Sequence, residues 1–345
     1  MKKILLVLIF SFIYSQGYSE TLSINTDIVG IHQLRIVNKG KKHCPVSIPL
    51  IKKAVVCGRL EGVKEKTGVL IDKEALFDKL NKDKKYFFLV RNGKERGGWF
   101  LINSQDSPTQ ITVKLDKGSG NIENLNGNEL FSIHQLYSLN ELFPPDGSVL
   151  PANKIDIMAG QIHINSKNIW KKYWLSNGEL SEEAGWIDWA SSKPIKLKDL
   201  FFMPGSSFII FHPDPDRDID IHIIGSVMDF VLKKTITPGY NYVSVEYNTS
   251  RTDINHSFST KLKDLRLINS GFASGQDSDS SDGLIIWNVQ QKEYNKPYWL
   301  FNNNGHPQWM TAANEPVDVD NAKVIPGTGL IIHNISNPYT WFDGK

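Results

Sequence analysis

The sequence has little cysteine, no marked excess of either charge and no long hydrophobic run beyond its N-terminal segment. Its 345 residues include 2 Cys, and 39 Lys and Arg against 37 Asp and Glu give a formal net charge of +2. Two cysteines are too few for a disulfide scaffold. A near-neutral chain without a basic block argues against binding to nucleic acid or to an anionic membrane surface. No segment after the leader reaches 18 apolar residues, so we expect no transmembrane span in the mature chain.

Motifs of common catalytic sites are absent as well. The nine histidines form no His-Glu-x-x-His motif and no pair two or four residues apart, so a local zinc site is unsupported. There is no Gly-x-Ser-x-Gly elbow and no phosphate-binding loop. The sequence therefore indicates no cofactor. It favours a non-catalytic protein while leaving enzymatic activity open.

Residues 1–19 have the pattern of a secretory signal peptide. Lys2 and Lys3 precede an apolar run at 4–14, and small residues lead to a cleavage site after Ser19. An 11-residue apolar run is too short to cross about 30 Å of hydrocarbon. We therefore expect an exported protein, located in the periplasm, on the cell surface or outside the cell.

Export bears on the two cysteines, Cys44 and Cys57. An oxidising compartment favours their pairing, and the segment between them could form two short strands joined at Lys52-Lys53. We expect a Cys44–Cys57 disulfide. The alternative is two buried thiols.

Residues of alternating polarity dominate the rest of the chain. Clear examples are 111–115, 218–223 and 243–247, and Asn-Gly and Asp-Gly turn signals separate such segments. Only 73–80 has helical spacing. The pattern predicts an all-β protein built from tandem antiparallel β-sandwich or barrel-like domains.

An internal repeat relates two parts of the chain. Landmarks recur in the same order at offsets of 122 to 126 residues, which predicts a duplicated β-domain. The matched landmarks are Leu139 with Leu265, Asp156 with Asp282, Tyr173-Trp174-Leu175 with Tyr298-Trp299-Leu300, Trp186 with Trp309, and Pro204-Gly205 with Pro326-Gly327.

The predicted domains follow from this repeat. After the signal peptide we expect an N-terminal β-domain at 20–108, the two repeat domains at 109–212 and 217–333, and a C-terminal tail at 334–345. The N-terminal domain looks like a partial third relative. Its 86–90 segment is similar to the Tyr-Trp-Leu strands, and its 98–100 segment is similar to Gly185-Trp186.

Several short motifs resemble an uncharacterised family of exported bacterial β-rich proteins. The opening Asp-x-Val-Gly and the repeated Pro-Gly-apolar strand endings carry the resemblance, together with the segments Thr26-Asp27-Ile28-Val29-Gly30, Val46-Ser47-Ile48-Pro49-Leu50, Ala54-Val55-Val56-Cys57-Gly58 and Leu139-Asn140-Glu141-Leu142-Phe143-Pro144. Ile28 stands where family members commonly have proline. The resemblance implies an exported β-protein and no assigned activity.

The acidic segment 276–283 is a candidate calcium site. Asp277, Asp279 and Asp282 could share an ion with backbone carbonyls. An exposed loop is the simpler interpretation. Asp282 fits a turn residue whose carboxylate accepts hydrogen bonds from backbone N–H groups.

Trp186, Trp189 and Trp309 are candidate ligand-facing aromatics. Exposed aromatic rings stack on sugars or anchor protein interfaces, although in small β-domains they more often fill the core. Glu182-Glu183, close to Trp186, are the one carboxylate pair from which a glycosidase hypothesis could start.

These observations favour an exported, non-catalytic structural or interaction protein of the bacterial envelope or exterior, with an envelope protein or a glycan as partner. A carbohydrate-binding module is the first alternative. A secreted hydrolase with a dispersed active site is the second.

Overall fold

The computed structural model describes residues 28–36, 43–64, 67–72, 74, 76–166, 169–179, 184–195, 200–214, 217–228, 230–246, 260–288, 293–295 and 297–342. About 51% of the structure is strand and 8% helix, which confirms the all-β class. The predicted signal peptide lies outside the described residues.

The strands are short and follow one another closely along the chain. The first nine are β1 (Ile28–Ile36), β2 (His43–Ser47), β3 (Ala54–Arg59), β4 (Gly62–Lys64), β5 (Val69–Ile71), β6 (Tyr86–Val90), β7 (Trp99–Ser107), β8 (Gln110–Gly118) and β9 (Leu130–Gln135). The next nine are β10 (Tyr137–Ser138), β11 (Gln161–Ser166), β12 (Ile169–Ser176), β13 (Gly185–Asp188), β14 (Lys193–Pro194), β15 (Phe201–Phe202), β16 (Ser207–Phe211), β17 (Ile219–Val227) and β18 (Lys234–Ile236). The last nine are β19 (Gly239–Ser244), β20 (Thr260–Lys261), β21 (Gly283–Asn288), β22 (Glu293–Tyr294), β23 (Tyr298–Asn303), β24 (His306–Thr311), β25 (Lys323–Val324), β26 (Gly329–Asn334) and β27 (Tyr339–Trp341).

Helical structure is limited to single turns. They are α1 (Leu139–Leu142) and the 3-10 helices Leu76–Lys79, Ile122–Asn124, Asp156–Met158, Leu262–Leu265 and Ile268–Ser270. Asp72 immediately precedes the predicted helical segment 73–80. Its buried carboxylate accepts hydrogen bonds from the N–H groups of Glu74 and Leu76. This cap begins one tight turn that buries Phe77.

Three large antiparallel sheets carry the fold. Sheet 1 has the strand order β3-β9-β6-β7-β8-β5-β4, sheet 2 has β14-β13-β12-β11-β16-β2, and sheet 3 has β19-β26-β21-β23-β24. Two-stranded ribbons, β1-β17, β10-β15, β18-β27 and β20-β25, complete the architecture. One face of each large sheet packs on its own cluster of buried apolar side chains.

The same five-strand order recurs in all three sheets. An edge strand from earlier in the chain pairs with the last strand, and the last strand pairs with the first of a three-strand meander. The meanders are β6-β7-β8 in sheet 1, β11-β12-β13 in sheet 2 and β21-β23-β24 in sheet 3. The strand order therefore extends the predicted repeat to sheet 1, and it aligns β6 with β11. The sequence comparison matched 86–90, which forms β6, with 173–175, which lies in β12. That match is shifted by one strand, because the counterpart of β6 is β11.

Register within sheets 2 and 3 tests the individual landmarks. Leu175 pairs with Trp186, and Leu300 pairs with Trp309, so these two matches are confirmed. The match of Asp156 with Asp282 is wrong. The N–H of Leu175 donates to the Gly160 carbonyl, and the N–H of Leu300 donates to the Asp282 carbonyl, so Gly160 is the counterpart of Asp282.

Sheet membership does not follow chain order. β8 and β9 lie beyond residue 108 and complete sheet 1, whereas β2 lies before it and forms the edge of sheet 2. β27, within the predicted tail, pairs with β18. The predicted domain boundaries remain predictions.

The expected disulfide is absent. Cys44 is buried in β2, which pairs with β16 in sheet 2. Cys57 is exposed on β3, which pairs with β9 in sheet 1. The prediction was wrong because the segment between the two cysteines crosses from one sheet to another and does not form a hairpin.

Sheets 2 and 3 meet through reciprocal backbone contacts. The Ser47 N–H on β2 donates to the Gly327 carbonyl over 2.9 Å, and the Ser244 N–H on β19 donates to the Gly205 carbonyl over 3.0 Å. Each donor ends its edge strand, and each acceptor is the glycine of a Pro-Gly turn. The two sheets therefore contact each other as the two halves of an isologous dimer do.

Sheet 1 packs against the segment that connects β17 to β18. The second face of sheet 1 packs against Met228, Phe230 and Leu232. Just after this segment, Lys233 Nζ lies 3.0 Å from a carboxylate oxygen of Glu95, and Lys234 Nζ lies 2.7 Å from one of Glu246. Among the described residues, no helix is long and apolar enough to span a membrane.

Candidate functional site: an aromatic face and cleft on sheet 3

A row of side chains crosses sheet 3 on the face opposite its core. Strand register places its members directly opposite one another in the order Tyr240, His333, Gly283, Trp299, Met310. Successive side chains along a strand point to opposite faces. Since Leu300 lies in the core and Tyr298 packs against it, Trp299 lies on the outer face. We call these five residues the aromatic row.

The rings of the aromatic row contact one another. Tyr240 stacks on His333 with ring centroids 4.4 Å apart, and Trp299 meets His333 edge-on at 6.1 Å. Gly283 separates His333 from Trp299 in the sheet, and a Cβ at Gly283 would lie 2.6 Å from the Trp299 ring. The indole therefore lies against bare backbone. Tyr240, at the other end of the row, is 50% exposed.

A cleft of about 380 Å³ opens beside the Trp299 end of the row. It is lined by Gln276, Asp277, Ser278, Trp299, Phe301, Ala312 and Asn314. Trp299 and Phe301 are two residues apart on β23, so the strand alternation places both rings on one face. The polar lining comes from the loop before β21 and from the turn after β24.

Backbone and carboxylate hydrogen bonds hold the loop wall in place. Asn302 N–H donates to the Gly275 carbonyl over 2.7 Å, which ties the loop to β23. The buried Asp282 carboxylate accepts from the N–H groups of Ala273 and Ile335 at 2.8 and 2.9 Å. Burial raises the pKa of Asp282, and the two N–H donors oppose this increase. Asp282 is thus the turn residue that the sequence suggested.

Asp277 has a different environment from Asp282. Its Oδ1 accepts hydrogen bonds from both the N–H and the hydroxyl of Ser280, and these bonds lower the pKa of Asp277. It therefore presents an ionised carboxylate at the cleft. Within the described ranges, no group of three or more His, Cys, Asp or Glu side chains could hold a metal ion. The structure does not bring Asp277, Asp279 and Asp282 together as the calcium hypothesis required.

Two of the three predicted ligand-facing tryptophans are core residues. Trp186 is 1% exposed, with its indole N–H donating to the Phe143 carbonyl, and Trp309 is 4% exposed. Both pair with core leucines, so this part of the prediction was wrong. Trp189 is 53% exposed, and its indole N–H donates to Asp156 Oδ2 over 2.8 Å. Glu182 and Glu183 lie outside the described residues.

The sequence analysis named the acidic loop and Trp299 but did not bring them together as a cleft. It did not single out Phe301, Ala312 and Asn314 of the lining, or Tyr240 of the aromatic row, although the alternation of Trp299 and Phe301 on β23 was a usable signal. Asn314 has a positive φ of 61°. This left-handed conformation, which asparagine tolerates better than most residues, shapes the turn at the rim.

Comparisons with protein-family models, curated proteins and solved structures found no match to the chain. The resemblance to an uncharacterised exported family stays a prediction.

Proposed function

We propose that the protein is an exported, non-catalytic binding protein that holds a carbohydrate on the outer face of sheet 3. The observation that supports this most directly is the aromatic row running into the cleft beside Trp299. A pyranose ring has an apolar face and a rim of hydroxyl groups. Aromatic rings with polar side chains at their edge match both features.

The polar residues that line the cleft provide both hydrogen-bond donors and hydrogen-bond acceptors. Gln276 and Asn314 each carry an amide donor and acceptor, the Ser278 hydroxyl can do both, and ionised Asp277 only accepts. From Tyr240 to Trp299 the row crosses three inter-strand steps of about 4.8 Å, or roughly 14 Å. This length suits a chain of sugar units better than a single ring.

Binding is favoured over hydrolysis by the acids that line the cleft. Glycoside hydrolysis uses a pair of carboxyl groups on either side of the scissile bond. Asp277 is the single carboxylate among the described lining residues. Its lowered pKa also makes it unsuited to donate a proton as a general acid.

The test is glycan binding by the purified chain and two matched variants. Trp299→Ala removes the ring at the junction of row and cleft, and should weaken binding of glycans captured on an array by about tenfold or more. Trp174→Ala is the control, because Trp174 pairs with Gln161 in sheet 2 as Trp299 pairs with Gly283 in sheet 3. Equal losses in both variants, or no glycan captured by the wild-type chain, would refute the proposal.

Export is tested separately. Expression of the full chain in a bacterium, followed by fractionation and mass spectrometry, should give a product outside the cytoplasm that starts at Glu20. A full-length cytoplasmic product would contradict it.

A further inference from the structure

A second cleft, on sheet 1, has a different chemical character. It has a volume of about 300 Å³ and is lined by Leu80, Asn81, Lys82, Lys84, Lys85, Tyr86, Ile102, Asn103, Ser104 and Gln105. One wall is the loop that precedes β6, and the other is the middle of β7. Leu80, Tyr86 and Ile102 are buried and form an apolar floor.

Three lysines give the loop wall its charge. Lys82, Lys84 and Lys85 have no carboxylate within salt-bridge distance in the described part of the chain. Asp83 is the one acidic residue within the loop. On the opposite wall, the Asp106 carboxylate accepts from the hydroxyls of Ser104 and Thr112 at 2.7 and 2.6 Å. Within the described residues, the three lysine charges therefore have no partner carboxylate.

The loop is held in a defined turn. The Asn81 N–H donates to the Tyr86 hydroxyl over 3.2 Å, and Asn81 Oδ1 accepts from the Asp83 N–H over 2.8 Å. The Lys84 N–H closes the turn on the Asn81 carbonyl over 3.1 Å. A turn fixed in this way holds the backbone of the three exposed lysines along one wall of the cleft.

The opposite wall contains an unsatisfied acceptor. Gln105 Oε1 is buried and has no hydrogen-bond partner among the described residues. Register shifts between Ile102 and Ser104, and between Gln105 and Ser107, interrupt the pairing of β7 with β8 at this wall. Bulges of this kind are common beside binding sites, where they redirect side chains. A buried acceptor without a partner needs a donor such as a hydroxyl group.

We infer that this cleft binds an acidic sugar unit of a polysaccharide. Its carboxylate or sulfate group would pair with the ammonium groups of Lys82, Lys84 and Lys85, and a hydroxyl group would donate to Gln105 Oε1. Charge-assisted hydrogen bonds supply the affinity, and the Gln105 contact distinguishes a sugar from a simple anion. The site is separate from the aromatic row, so it does not rest on the proposed function.

The experiment measures affinity for heparin and polygalacturonate, with neutral dextran, inorganic sulfate and phosphatidylglycerol vesicles as comparison probes. The variant K82Q/K84Q/K85Q should bind the acidic glycans about tenfold or more weakly. The control K171Q/K193Q/K323Q removes three exposed lysines elsewhere and should stay within about twofold of wild type. Gln105→Leu should weaken glycan binding while leaving the weaker sulfate binding unchanged.

Three outcomes would overturn the inference. Equal losses in the two triple variants would show general charge attraction. Binding to vesicles without binding to glycans would identify a lipid surface, and no binding of either acidic glycan would remove the site. Melting curves check that each variant is folded. Neutral-glycan binding that depends on Trp299 should persist in K82Q/K84Q/K85Q, which keeps the two sites experimentally distinct.

Discussion

Sheets 2 and 3 share a register but differ at the place where sheet 3 has its cleft. Asp188 lies opposite Tyr173, and Thr311 lies opposite Tyr298, so the next residues, Trp189 and Ala312, take equivalent places in the following turn. In sheet 2 the Trp189 indole extends to Asp156, on the loop before β11. In sheet 3 the small Ala312 lines an open cleft. The equivalent positions therefore carry a large ring in sheet 2 and a small side chain in sheet 3.

The equivalent loops differ in polarity as well. Since Gly160 corresponds to Asp282, the loop 154–160 of sheet 2 corresponds to 276–282 of sheet 3. The first exposes Ile155, Ile157 and Met158, whereas the second consists of polar residues only. The strands that build each core keep Tyr, Leu and Trp at matching positions. The loops were therefore the part of each unit that could change its surface chemistry.

The largest expected effect is on stability, and it comes from comparing a buried ion pair with an exposed one. The Lys234–Glu246 side chains beside sheet 3 are 4% and 3% exposed, whereas those of Lys154–Glu179 beside sheet 2 are 53% and 60% exposed. Glu246→Ala leaves Lys234 buried without this partner and should lower the free energy of unfolding by about 3–5 kcal/mol. Glu179→Ala should cost less than about 1 kcal/mol.

Denaturant unfolding measures both changes. Glu246→Gln retains a polar partner for the Ser244 hydroxyl and should fall between them. Similar losses for Glu246→Ala and Glu179→Ala would mean that burial does not distinguish the two pairs.

The next effect concerns the glycine beneath Trp299. In Gly283→Ala the new Cβ would meet the indole at 2.6 Å, and overpacking of this kind typically costs about 1–3 kcal/mol. The displaced ring should also weaken glycan binding. Sheet 2 has Gln161 at the equivalent place, opposite Trp174, so Gln161→Ala should leave binding unchanged. Thermal melting and array binding measure the two effects, and unchanged binding in Gly283→Ala would show that the ring position does not matter.

Exchanging the residues at the equivalent turn positions, Ala312 in sheet 3 and Trp189 in sheet 2, tests the comparison directly. Ala312→Trp introduces the sheet 2 residue, which should fill the cleft and weaken glycan binding about tenfold, with little change in stability because Ala312 is exposed. Trp189→Ala is the reverse exchange and should leave sheet 3 binding intact. Isothermal titration with a glycan captured by the wild-type chain distinguishes these results. Full binding by Ala312→Trp would place the ligand elsewhere.

The fold could largely be predicted from local patterns, because they reflect forces that act along each strand. Alternation and turn residues predicted the strands, and repeated Tyr-Trp-Leu segments predicted matching cores. The partner of each strand was harder to predict. β2 and β3 flank a segment that reads as a hairpin, yet they join different sheets, and the choice depends on contacts with β16 and β9.

The candidate site was less predictable for a related reason. Trp186 and Trp309 stand out as large aromatics, but their pairing with core leucines decides their burial. Ala312 lines the cleft with a small side chain. Only the strand register shows that Trp189 occupies the equivalent place in sheet 2.

The smallest expected effect is the pH dependence that His163 on β11 contributes. His163 occupies the position that Ile285 holds in sheet 3, since the first pairs with Ile209 and the second with Ile331. Burial, followed by the nearby His43 and Lys172 charges, lowers the pKa of His163 from 6.5 to about 4. Its Nε2–H donates to Gln161 Oε1 over 2.8 Å.

The sign of the effect follows from proton linkage. Between pH 6.5 and about 4, this histidine binds a proton in the unfolded chain but not in the folded one. Its contribution to stability is therefore complete above pH 6.5 and is lost as the pH falls towards 4. His163→Ile, which copies sheet 3, should reduce the fall in melting temperature over this range while the carboxylates contribute equally to both proteins. The prediction would be wrong if the melting temperatures of wild type and His163→Ile fell equally between pH 6.5 and 4. That result would show that this ring takes up protons as readily in the folded state as in the unfolded chain.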